Sequence, residues 1–567
     1  MLYFSTLSLN FKDMKRKRLA PLLHLIAILS LNFSHVFAAE RPFDLSESEI
    51  QMLTQLGEHP DESMRYKLLN SRLREKSSLW EPFQEELDGL SEADYVSLRE
   101  LIVEKSIIEL QEAVNSGQLS YEELVTFYIY RIRRMESDGD RFINGVISLN
   151  PSAIERARRL DEIRETNGTL AENSIFGIPV LLKDNIGFAN LPTTAGAAAL
   201  TENFTSNAFI TNRLIEQGAI VLGKANLSEW AYFFCRECPS GYSAVGGQTL
   251  NPYGRLDFGT GGSSSGSGAS LAANYAAVAV GSETSGSILS PSSANSLVGL
   301  KPTTGSLSRS GVVPISSTLD TVGPMGRSVA DVVTLFNAMV GFDGEDPAMP
   351  RISEDLQLSI RQIPSDNRRL GVLPVYADNM QYQNALRLLA QSGFDLQEVD
   401  FQNERHPRFS EFLGAEMKRD LAIYLDKDAS AEVAIDSISA LQDFNLVDLE
   451  IRAPYGQALV DLMVDLDLSQ TELGDLRTDL IAWGRTYLDR LFVESDIEIL
   501  LGVNNHQASI AALANYPALT IPMGYEEDGR PAGLTLIAPS FQEQLLVDIG
   551  LNIEQILAAR RAPTNYP

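Results

Sequence analysis

The stretch FGTGGSSSGSGASLAANYAAVAVGSETSGSILSPSSANSLVGLKP, residues 258–302, contains two turns rich in glycine and serine. The first, around Ser263, opens a run of small residues that suits a helix, and the second, around Ser287, follows the apolar, strand-like run AAVAV. Glycine allows the tight backbone turns that larger residues resist. We therefore expect the helix and the strand to bring the two serine turns, 24 residues apart, close together.

Paired hydroxyls of this kind indicate acyl-transfer chemistry, for which a base is needed. A serine oxygen is a weak nucleophile until a base removes its proton and fixed donors await the oxyanion. His59, His406 and His506 lie outside the serine turns, and none stands beside a recognisable partner motif. Lys183 directly follows the β-prone run IFGIPVLL, so a half-buried position at a strand end is open to it. Burial there lowers the pKa of an amine far enough for it to act as a base near neutral pH.

Each of these features also has a purely structural interpretation. A lysine at a strand end can extend along apolar surface and keep its charge in water. Runs of glycine and serine often serve only as flexible connectors. On spacing alone, both interpretations stay open.

Taken together, Lys183, the GGSSSGS turn and the GSETSGS turn resemble the amidase signature family of Ser-Ser-Lys hydrolases. The resemblance is dense over residues 104–350 and looser over 500–555. Further segments that carry it are INGVISLNPSAIERARRLDE at 143–162, AIVLGKANLSEWA at 219–231, VGLKPTTGSLSRSGVVPIS at 298–316, LDTVGPMGRSVADV at 319–332, GFDGEDPA at 341–348, and NYPALTIPMG with GLTLIAP near the end. Within the family, NLSEWA followed by SGYSAVGGQTLNPY and GSSSGS is similar to bacterial peptide amidases, which remove the C-terminal amide from peptides.

The resemblance implies a role for each of the three residues. Ser287 is the implied nucleophile, Ser263 the serine that bridges to the base, and Lys183 the base. A cis peptide bond between Gly262 and Ser263 is also implied, and we expect Ser264 to support the lysine and serine network by hydrogen bonding.

A tight glycine turn can point successive backbone amides into one concavity, which suits an oxyanion. The predicted donors are the backbone N–H groups of Thr284, Ser285, Gly286 and Ser287. The sequence departs from the common family pattern by having Ser285 in place of glycine, and Leu289 and Ser290 in place of arginine and a bulkier residue.

Two other motifs suggest different chemistries. GSSSG at 262–266 fits the G-x-S-x-G nucleophile elbow, which would make Ser264 the nucleophile with His406 or His506 as base. The preceding YGRLDFGT has little strand character, which disfavours that interpretation. GAIVLGKA at 218–225 misses a phosphate-binding loop only at Ala225, but its apolar middle predicts a buried strand.

Cys235 and Cys238 are the only cysteines. Two thiols are too few for a closed zinc site, and no thioredoxin-like βαβ context surrounds them. A disulfide and a pair of free structural thiols both stay open. We expect neither a metal nor a cofactor.

The N-terminus has the three-part plan of a secretory signal peptide. KDMKRKR precedes the apolar run LAPLLHLIAILSLNF, which ends near Ala38. We assign residues 1–38 to the signal and expect a periplasmic or secreted protein; an uncleaved membrane anchor is the alternative. We expect no stable membrane association after signal removal.

The chain carries 46 basic and 75 acidic side chains, a net charge of -29. Such a surface repels nucleic acid backbones and anionic membranes. This charge disfavours one family branch, the cytosolic amidase subunit of a tRNA-dependent amidotransferase. We expect no nucleic-acid partner.

Beyond the signal, the pattern predicts acidic helices over 39–103 and a catalytic domain over 104–567. Capping patterns occur at Ser46 to Glu49 and at Ser120 to Glu123. Short β-rich runs alternate with helices, which favours an α/β fold: one large domain with a central mixed sheet covered by helices, as in the amidase signature fold. Residues 349–500 match the family least, and we expect them to form part of the substrate entrance.

The sequence thus predicts an exported serine amidase that hydrolyses linear carboxamides, with C-terminal peptide amides as one candidate class. A catalytically idle peptide-binding protein and the amidotransferase subunit are the alternatives. Acyl and amine specificity and the oligomeric state are not predicted.

Overall fold

Short apolar runs such as PVLL and VAV are long enough for strands but too short for buried helices, and they form the centre of a sheet. The computed structural model describes residues 45–350, 356–401 and 405–567. The strands in this part of the chain are β1 Val146–Leu149, β2 Pro179–Lys183, β3 Ile220–Ala225, β4 Tyr242–Ser243, β5 Gly247–Gln248, β6 Val278–Glu283, β7 Val298–Lys301, β8 Thr321–Gly326, β9 Arg369–Val372, β10 Asp395–Glu398, β11 Ile499–Val503, β12 Ala518–Tyr525 and β13 Pro531–Ile537.

Eleven of these strands form one mixed sheet in the order β1-β3-β2-β6-β8-β7-β12-β13-β11-β9-β10, and β4 pairs with β5. Strand β2 runs parallel to both β3 and β6, with Leu182 opposite Val280. Parallel neighbours end at the same edge of a sheet, so the carboxyl ends of β2 and β6 lie side by side. Lys183 ends β2 and Ser282 lies near the end of β6, at this shared edge.

Helices cover the sheet, and the central strands β2 and β6 are consequently buried at every residue. In the described ranges the α-helices are α1 Glu47–Gly57, α2 Gln84–Asp88, α3 Glu92–Ile102, α4 Ile107–Asn115, α5 Tyr121–Glu136, α6 Ala153–Asn167, α7 Phe209–Glu216, α8 Ser265–Ala272, α9 Leu289–Ala294, α10 Val329–Met339, α11 Met380–Gln391, α12 Phe409–Lys427, α13 Ile438–Leu446, α14 Leu449–Arg452, α15 Ala458–Asp465, α16 Gln470–Glu494, α17 Ala508–Ala514 and α18 Glu543–Leu557.

The two predicted helix starts differ in detail. Ser120 and Glu123 form the expected reciprocal capping box at the start of α5. Ser46 accepts the hydrogen bond from Glu49 N that caps α1, at 3.2 Å, but the Glu49 carboxylate does not return to the cap. It accepts instead from the backbone N–H groups of Leu69 and Asn70, at 3.0 and 3.1 Å. A tertiary contact has replaced the local one.

Three strand boundaries were misplaced by the sequence patterns. Strand β6 starts two residues later than the apolar run from Ala276 and continues through polar residues to Glu283, because β8 pairs with it along that length. Lys183 is the last residue of β2, not the residue after it. The composition of LGVLPVY, residues 370–376, predicts a strand along the whole run, but the strand ends at Val372 and Pro374 begins a 3-10 turn, since proline has no N–H for the sheet.

The late apolar runs PALTIPMG and AGLTLIAP predict strands that rejoin the central sheet, and β12 and β13 confirm this by pairing with each other and joining the sheet through β7. The α/β fold with a mixed, helix-covered sheet is therefore confirmed. Residues 45–567 form one compact unit. The predicted signal peptide lies outside the described residues, and the division at residue 103 stays a prediction. Of the described helices, none combines the length and apolarity needed for a membrane span.

Candidate active site

Adjacent ends of β2 and β6 place a lysine against two serines. Lys183 Nζ donates to Ser263 Oγ at 2.8 Å, to Ser282 Oγ at 2.9 Å and to the Ser282 carbonyl oxygen at 3.0 Å. Lys183 and Ser263 are fully buried. The lysine does not extend into water, so its alternative interpretation as a surface-seeking strand-end residue is excluded.

The turn before α8 holds Ser263 in place. The peptide bond between Gly262 and Ser263 is cis, as the resemblance implies. The next residue, Ser264, is fully buried, and its Oγ donates to the Ser282 carbonyl at 3.1 Å and accepts from Ser282 N at 3.3 Å. Ser264 therefore contacts the same residue as Lys183, which is the arrangement expected of a supporting hydroxyl.

The arrangement disfavours the nucleophile elbow at Ser264. His506 Nδ1 lies 3.1 Å from Tyr376 Oη, and His406 Nε2 lies 3.6 Å from an Asp479 carboxylate oxygen. Neither imidazole is bonded to Ser264, so the base that this interpretation needs is not in place.

Ser287 stands beside the bridging turn. Its carbonyl oxygen accepts from Ser264 N at 3.1 Å, and its side chain is slightly open, with 9% of the residue exposed. Among the described residues, no hydrogen bond joins Ser263 Oγ to Ser287 Oγ. The structure thus brings Lys183 and Ser263 into direct contact and places the Ser287 backbone one hydrogen bond away from the same turn.

Glu283 organises the turn that carries Ser287. Its carboxylate accepts from the backbone N–H groups of Gly286 and Ile288, both at 2.7 Å, and of Leu289 at 3.0 Å. The Gly286 N–H is consequently bonded to Glu283 in this structure, which argues against its predicted part in the oxyanion site. The N–H groups of Thr284, Ser285 and Ser287 stay predicted donors.

Burial controls the protonation of this site. It lowers the pKa of Lys183 to about 7, while the charges of Asp320 and Glu283 act in the opposite direction. Burial also raises the pKa of Asp320 to about 6, against hydrogen bonds from Thr284 and from the backbone of the preceding loop. Lys183 is therefore substantially uncharged just above neutral pH, as a general base must be.

Sequence reasoning missed three members of this site. Ser282 and Glu283 lie inside the GSETSGS turn that drew attention to Ser287, but only the register of β2 and β6 reveals Ser282 as a lysine ligand. Asp320 accepts from Thr284 Oγ1 at 2.5 Å and lies in a separate segment, so local spacing gives no signal for it.

The phosphate-loop candidate is a strand, as its apolar middle predicted. Lys224 lies within β3, is fully buried, and pairs with Asp184 at 3.3 Å. A lysine committed to a buried carboxylate is not available for a nucleotide. The described ranges contain no group of three or more His, Cys, Asp or Glu side chains placed to hold a metal ion.

Cys235 and Cys238 form a disulfide, with their Cα atoms 5.6 Å apart. This selects one of the two possibilities that the sequence left open. Both cysteines are buried, whereas Arg236 and Glu237 between them are exposed.

Comparisons with known proteins identify the family of this chain. The family model described as Amidase matches residues 123–466. A probable amidase of Arabidopsis thaliana is 32% identical over 483 residues, with 82% of this chain and 92% of the relative covered. The A subunit of glutamyl-tRNA(Gln) amidotransferase from Syntrophobacter fumaroxidans is 29% identical, covering 79% and 96% of the two chains. The crystal structure of the native peptide amidase from Stenotrophomonas maltophilia is similar with a TM-score of 0.76 and 34% identity, covering 81% of this chain and 98% of that one.

Proposed function

This chain belongs to the amidase family and is an amide hydrolase, and from that premise we propose that Ser287, Ser263 and Lys183 are its catalytic triad. One observation carries the proposal. A fully buried lysine with a pKa of about 7 donates to Ser263 Oγ at 2.8 Å, beside the turn that carries Ser287. Lys183 donates to hydroxyl and carbonyl oxygens and not to a carboxylate, so no direct ion pair opposes the uncharged form that a base needs.

The proton moves along this line of groups. Uncharged Lys183 accepts the proton of Ser263 as Ser263 accepts the proton of Ser287, and Ser287 Oγ attacks the amide carbonyl. Collapse of the tetrahedral intermediate breaks the C–N bond, and Ser263 returns a proton to the leaving amine. Water then hydrolyses the acyl-enzyme through the same relay.

The oxyanion forms against the backbone of the Ser287 turn. With Gly286 N–H held by Glu283, the donors that we propose are the N–H groups of Thr284, Ser285 and Ser287. An oxyanion donor of this kind typically lowers the barrier by about 3 kcal/mol. Glu283 fixes the turn before the reaction, so little reorganisation is needed in the transition state.

We propose linear carboxamides as substrates, with C-terminal peptide amides first among them. The likeness to the Stenotrophomonas maltophilia peptide amidase supports this choice. The test is ammonia release from a C-terminally amidated dipeptide. Wild type and Ser77→Ala, an exposed serine remote from the triad in sequence, should release ammonia at the same rate, and Ser287→Ala should release none above background.

Two alternatives give different results in the same assay. A catalytically idle peptide-binding protein would release no ammonia from any amide in a broad panel. The similarity to the amidotransferase A subunit supports the other alternative, which would show glutamine-dependent ammonia release that rises when partner subunits are added.

Export from the cytoplasm is part of the proposal. The basic and apolar N-terminal run motivates it, and the Cys235–Cys238 disulfide suits an oxidising compartment. Cell fractionation should place the protein in the periplasm or medium, with a mature N-terminus near residue 39. A full-length chain found only in the cytosol would contradict export and leave the amidase chemistry untouched.

A further inference from the structure

Residues 228–241, named the cystine loop here, begin against the peptide that carries Ser263. Ser228 N donates to the Ser263 carbonyl oxygen at 3.0 Å. At the far end, Gly241 N donates to Ser228 Oγ at 2.9 Å, which closes the loop at its base. The cystine loop therefore bonds the main chain of Ser263, whereas Lys183 bonds its hydroxyl.

The same loop packs on Gly262, the residue before the cis bond. A Cβ atom placed on Gly262 would lie 2.4 Å from Ser240 Oγ and 2.6 Å from Ser228 Oγ. These separations show that both hydroxyls rest directly on the Gly262 backbone. Within the described chain, Ser240 Oγ is buried and makes no hydrogen bond, and the Ser240 carbonyl accepts from Gln248 Nε2 at 2.8 Å. A shift of the loop would remove the wall that supports the Gly262–Ser263 peptide.

The backbone conformation inside the cystine loop is strained and needs contacts with its surroundings. Trp230, Ala231 and Tyr232 have φ values of 51°, 54° and 76°. Side-chain-bearing residues in this left-handed region each cost about 1 kcal/mol or more. Three in succession persist only where the surroundings hold them.

The disulfide is one of the contacts that hold this conformation. It closes the bend between Tyr232 and Ser240 by joining Cys235 to Cys238. Across that bend, Tyr232 Oη donates to the Cys238 carbonyl at 3.1 Å, a contact that depends on the bend staying closed. The bend is also bonded to a distant part of the chain, because Leu459 N donates to the Phe234 carbonyl at 3.2 Å.

We propose that the Cys235–Cys238 disulfide is a positioning element for the candidate bridging serine: it holds the cystine loop so that Ser228 and Ser240 fix the Gly262–Ser263 peptide against Lys183. The inference rests on the proposed function, because it needs Ser263 to relay the proton. It assigns the two cysteines a part in the rate of amide hydrolysis, acting through the loop and not by contact with the substrate.

Reduction of the Cys235–Cys238 disulfide tests this positioning role. A dithiol reductant transfers two electrons and two protons to the disulfide, whose S–S bond breaks to give two thiols, and the reductant becomes a cyclic disulfide. Opening the bend releases the left-handed segment and loosens the hydroxyls on Gly262. Misplacement of a catalytic group by about 1 Å can cost on the order of a hundredfold in rate.

The experiment compares full-length wild type with the double variant Cys235→Ser/Cys238→Ser. We expect kcat for the amidated dipeptide to fall about tenfold with KM changed less than about twofold, because both cysteines are buried and the change acts on the proposed proton relay. The rate at which a fluorophosphonate probe labels Ser287 should fall by the same factor, and the pH midpoint of labelling should move, since the Lys183–Ser263 contact changes. Circular dichroism well below the melting temperature confirms that the variant is folded, and neither kinetic readout follows from a simple loss of stability.

Controls separate the disulfide from the rest of the loop. Arg236→Ala and Glu237→Ala, exposed between the cysteines, should keep wild-type kcat. Dithiothreitol should slow wild type and leave the double variant unchanged, and reoxidation should restore the wild-type rate; this reversible arm decides the question even when the double variant does not fold. Wild-type kcat and labelling rate in both the double variant and the reduced enzyme would overturn the inference. Wild type that neither hydrolyses amides nor labels at Ser287 would instead overturn the proposed function.

Discussion

Lys183 is the base that we propose, and its buried position leads us to expect that activity depends on pH. A lysine whose pKa is lowered by burial to about 7 is protonated below that value and cannot accept a proton from Ser263. We predict that kcat/KM rises with pH through about 7 and then levels. Asp320, with a pKa raised to about 6, becomes neutral in the lower part of this range, and Glu283 is the other nearby carboxylate. A rate profile that is flat between about pH 5 and 9 would show that the base is not Lys183.

Glu283 offers a second test at the residue scale. In Glu283→Gln an amide replaces a carboxylate that accepts three backbone N–H bonds, so an NH2 group faces at least one of those donors. We predict a fall in kcat of about a hundredfold, comparable with the loss of one oxyanion donor. Removing a negative charge also lowers the pKa of Lys183 further, so the rising limb of the pH profile should move to lower pH.

The matched control for this change is Glu202→Gln, which alters an exposed glutamate. Glu202→Gln should keep the wild-type kcat, and the rising limb of its pH profile should stay at the wild-type pH. A Glu283→Gln enzyme with normal kcat and an unmoved limb would show that the carboxylate neither shapes the turn nor acts on Lys183.

The residues of the site differ in how far the sequence could reveal them. Lys183, Ser263 and Ser287 lie in local motifs with a chemical meaning of their own, so they could be predicted. The role of Ser282 depends on strand register, and that of Asp320 on a loop distant in sequence. The commitment of Gly286 N–H to Glu283 depends on a side-chain rotamer, which no motif specifies.

At the scale of elements, helix α12 supports the loop that carries Asp320. Glu416 is fully buried and accepts from Ser316 Oγ and, at 2.8 Å, from Thr318 Oγ1. Asp420, one turn on, accepts from Ser317 N at 2.6 Å. Helix α12 lies in the segment that the sequence led us to expect at the substrate entrance, and these bonds join it to a loop of the candidate site.

This contact leads to a prediction for Glu416→Ala. The change leaves two hydroxyls and two neighbouring arginines without their buried acceptor, and we expect a loss of about 3 kcal/mol or more in the free energy of unfolding. Because Asp320 lies in the freed loop, kcat should fall as well. Asp426→Asn, on the exposed side of the same helix, should change neither thermal unfolding nor kcat. Normal kcat in a destabilised Glu416→Ala enzyme would show that the loop keeps its place without α12.

Element boundaries show where pattern reading stops. The β-prone runs predict the positions of β2, β3, β6, β12 and β13, because short apolar runs are typical of buried strands. The polar end of β6 could not be assigned, because only pairing with β8 makes Gly281 to Glu283 a strand. That polar end is the part that holds Ser282 and Glu283, so the site lies where hydrophobic periodicity gives no signal.

At the scale of the whole molecule, the N-terminal helices are joined to the loops around the site. Ser71 Oγ donates to the Ala244 carbonyl at 2.8 Å, and Gln248 N donates to the Leu69 carbonyl at 2.8 Å. The carboxylate of Glu49 in α1 accepts a hydrogen bond from Leu69 N. The acidic extension that sequence assigned to a separate segment thus braces the region that follows the cystine loop.

We predict that Glu49→Ala loosens this brace. The N–H groups of Leu69 and Asn70 lose their buried acceptor, and each such loss costs about 1 to 3 kcal/mol locally. Hydrogen exchange at Leu69 and Gln248 should accelerate, and kcat should fall less than in Glu283→Gln. Glu47→Ala, exposed on the same helix, is the control and should leave exchange unchanged. Unaltered exchange at Gln248 in Glu49→Ala would mean that the extension is only attached to the body and does not support it.

The central claim is that Lys183 activates Ser287 through Ser263, and covalent labelling tests it most directly. A fluorophosphonate probe followed by peptide mapping should mark Ser287 in wild type, with labelling that rises through about pH 7. Lys183→Met should label at least about a thousandfold more slowly at every pH, because the base of the relay is gone. Label found on Ser264 or another residue, or equal labelling of wild type and Lys183→Met, would contradict the account.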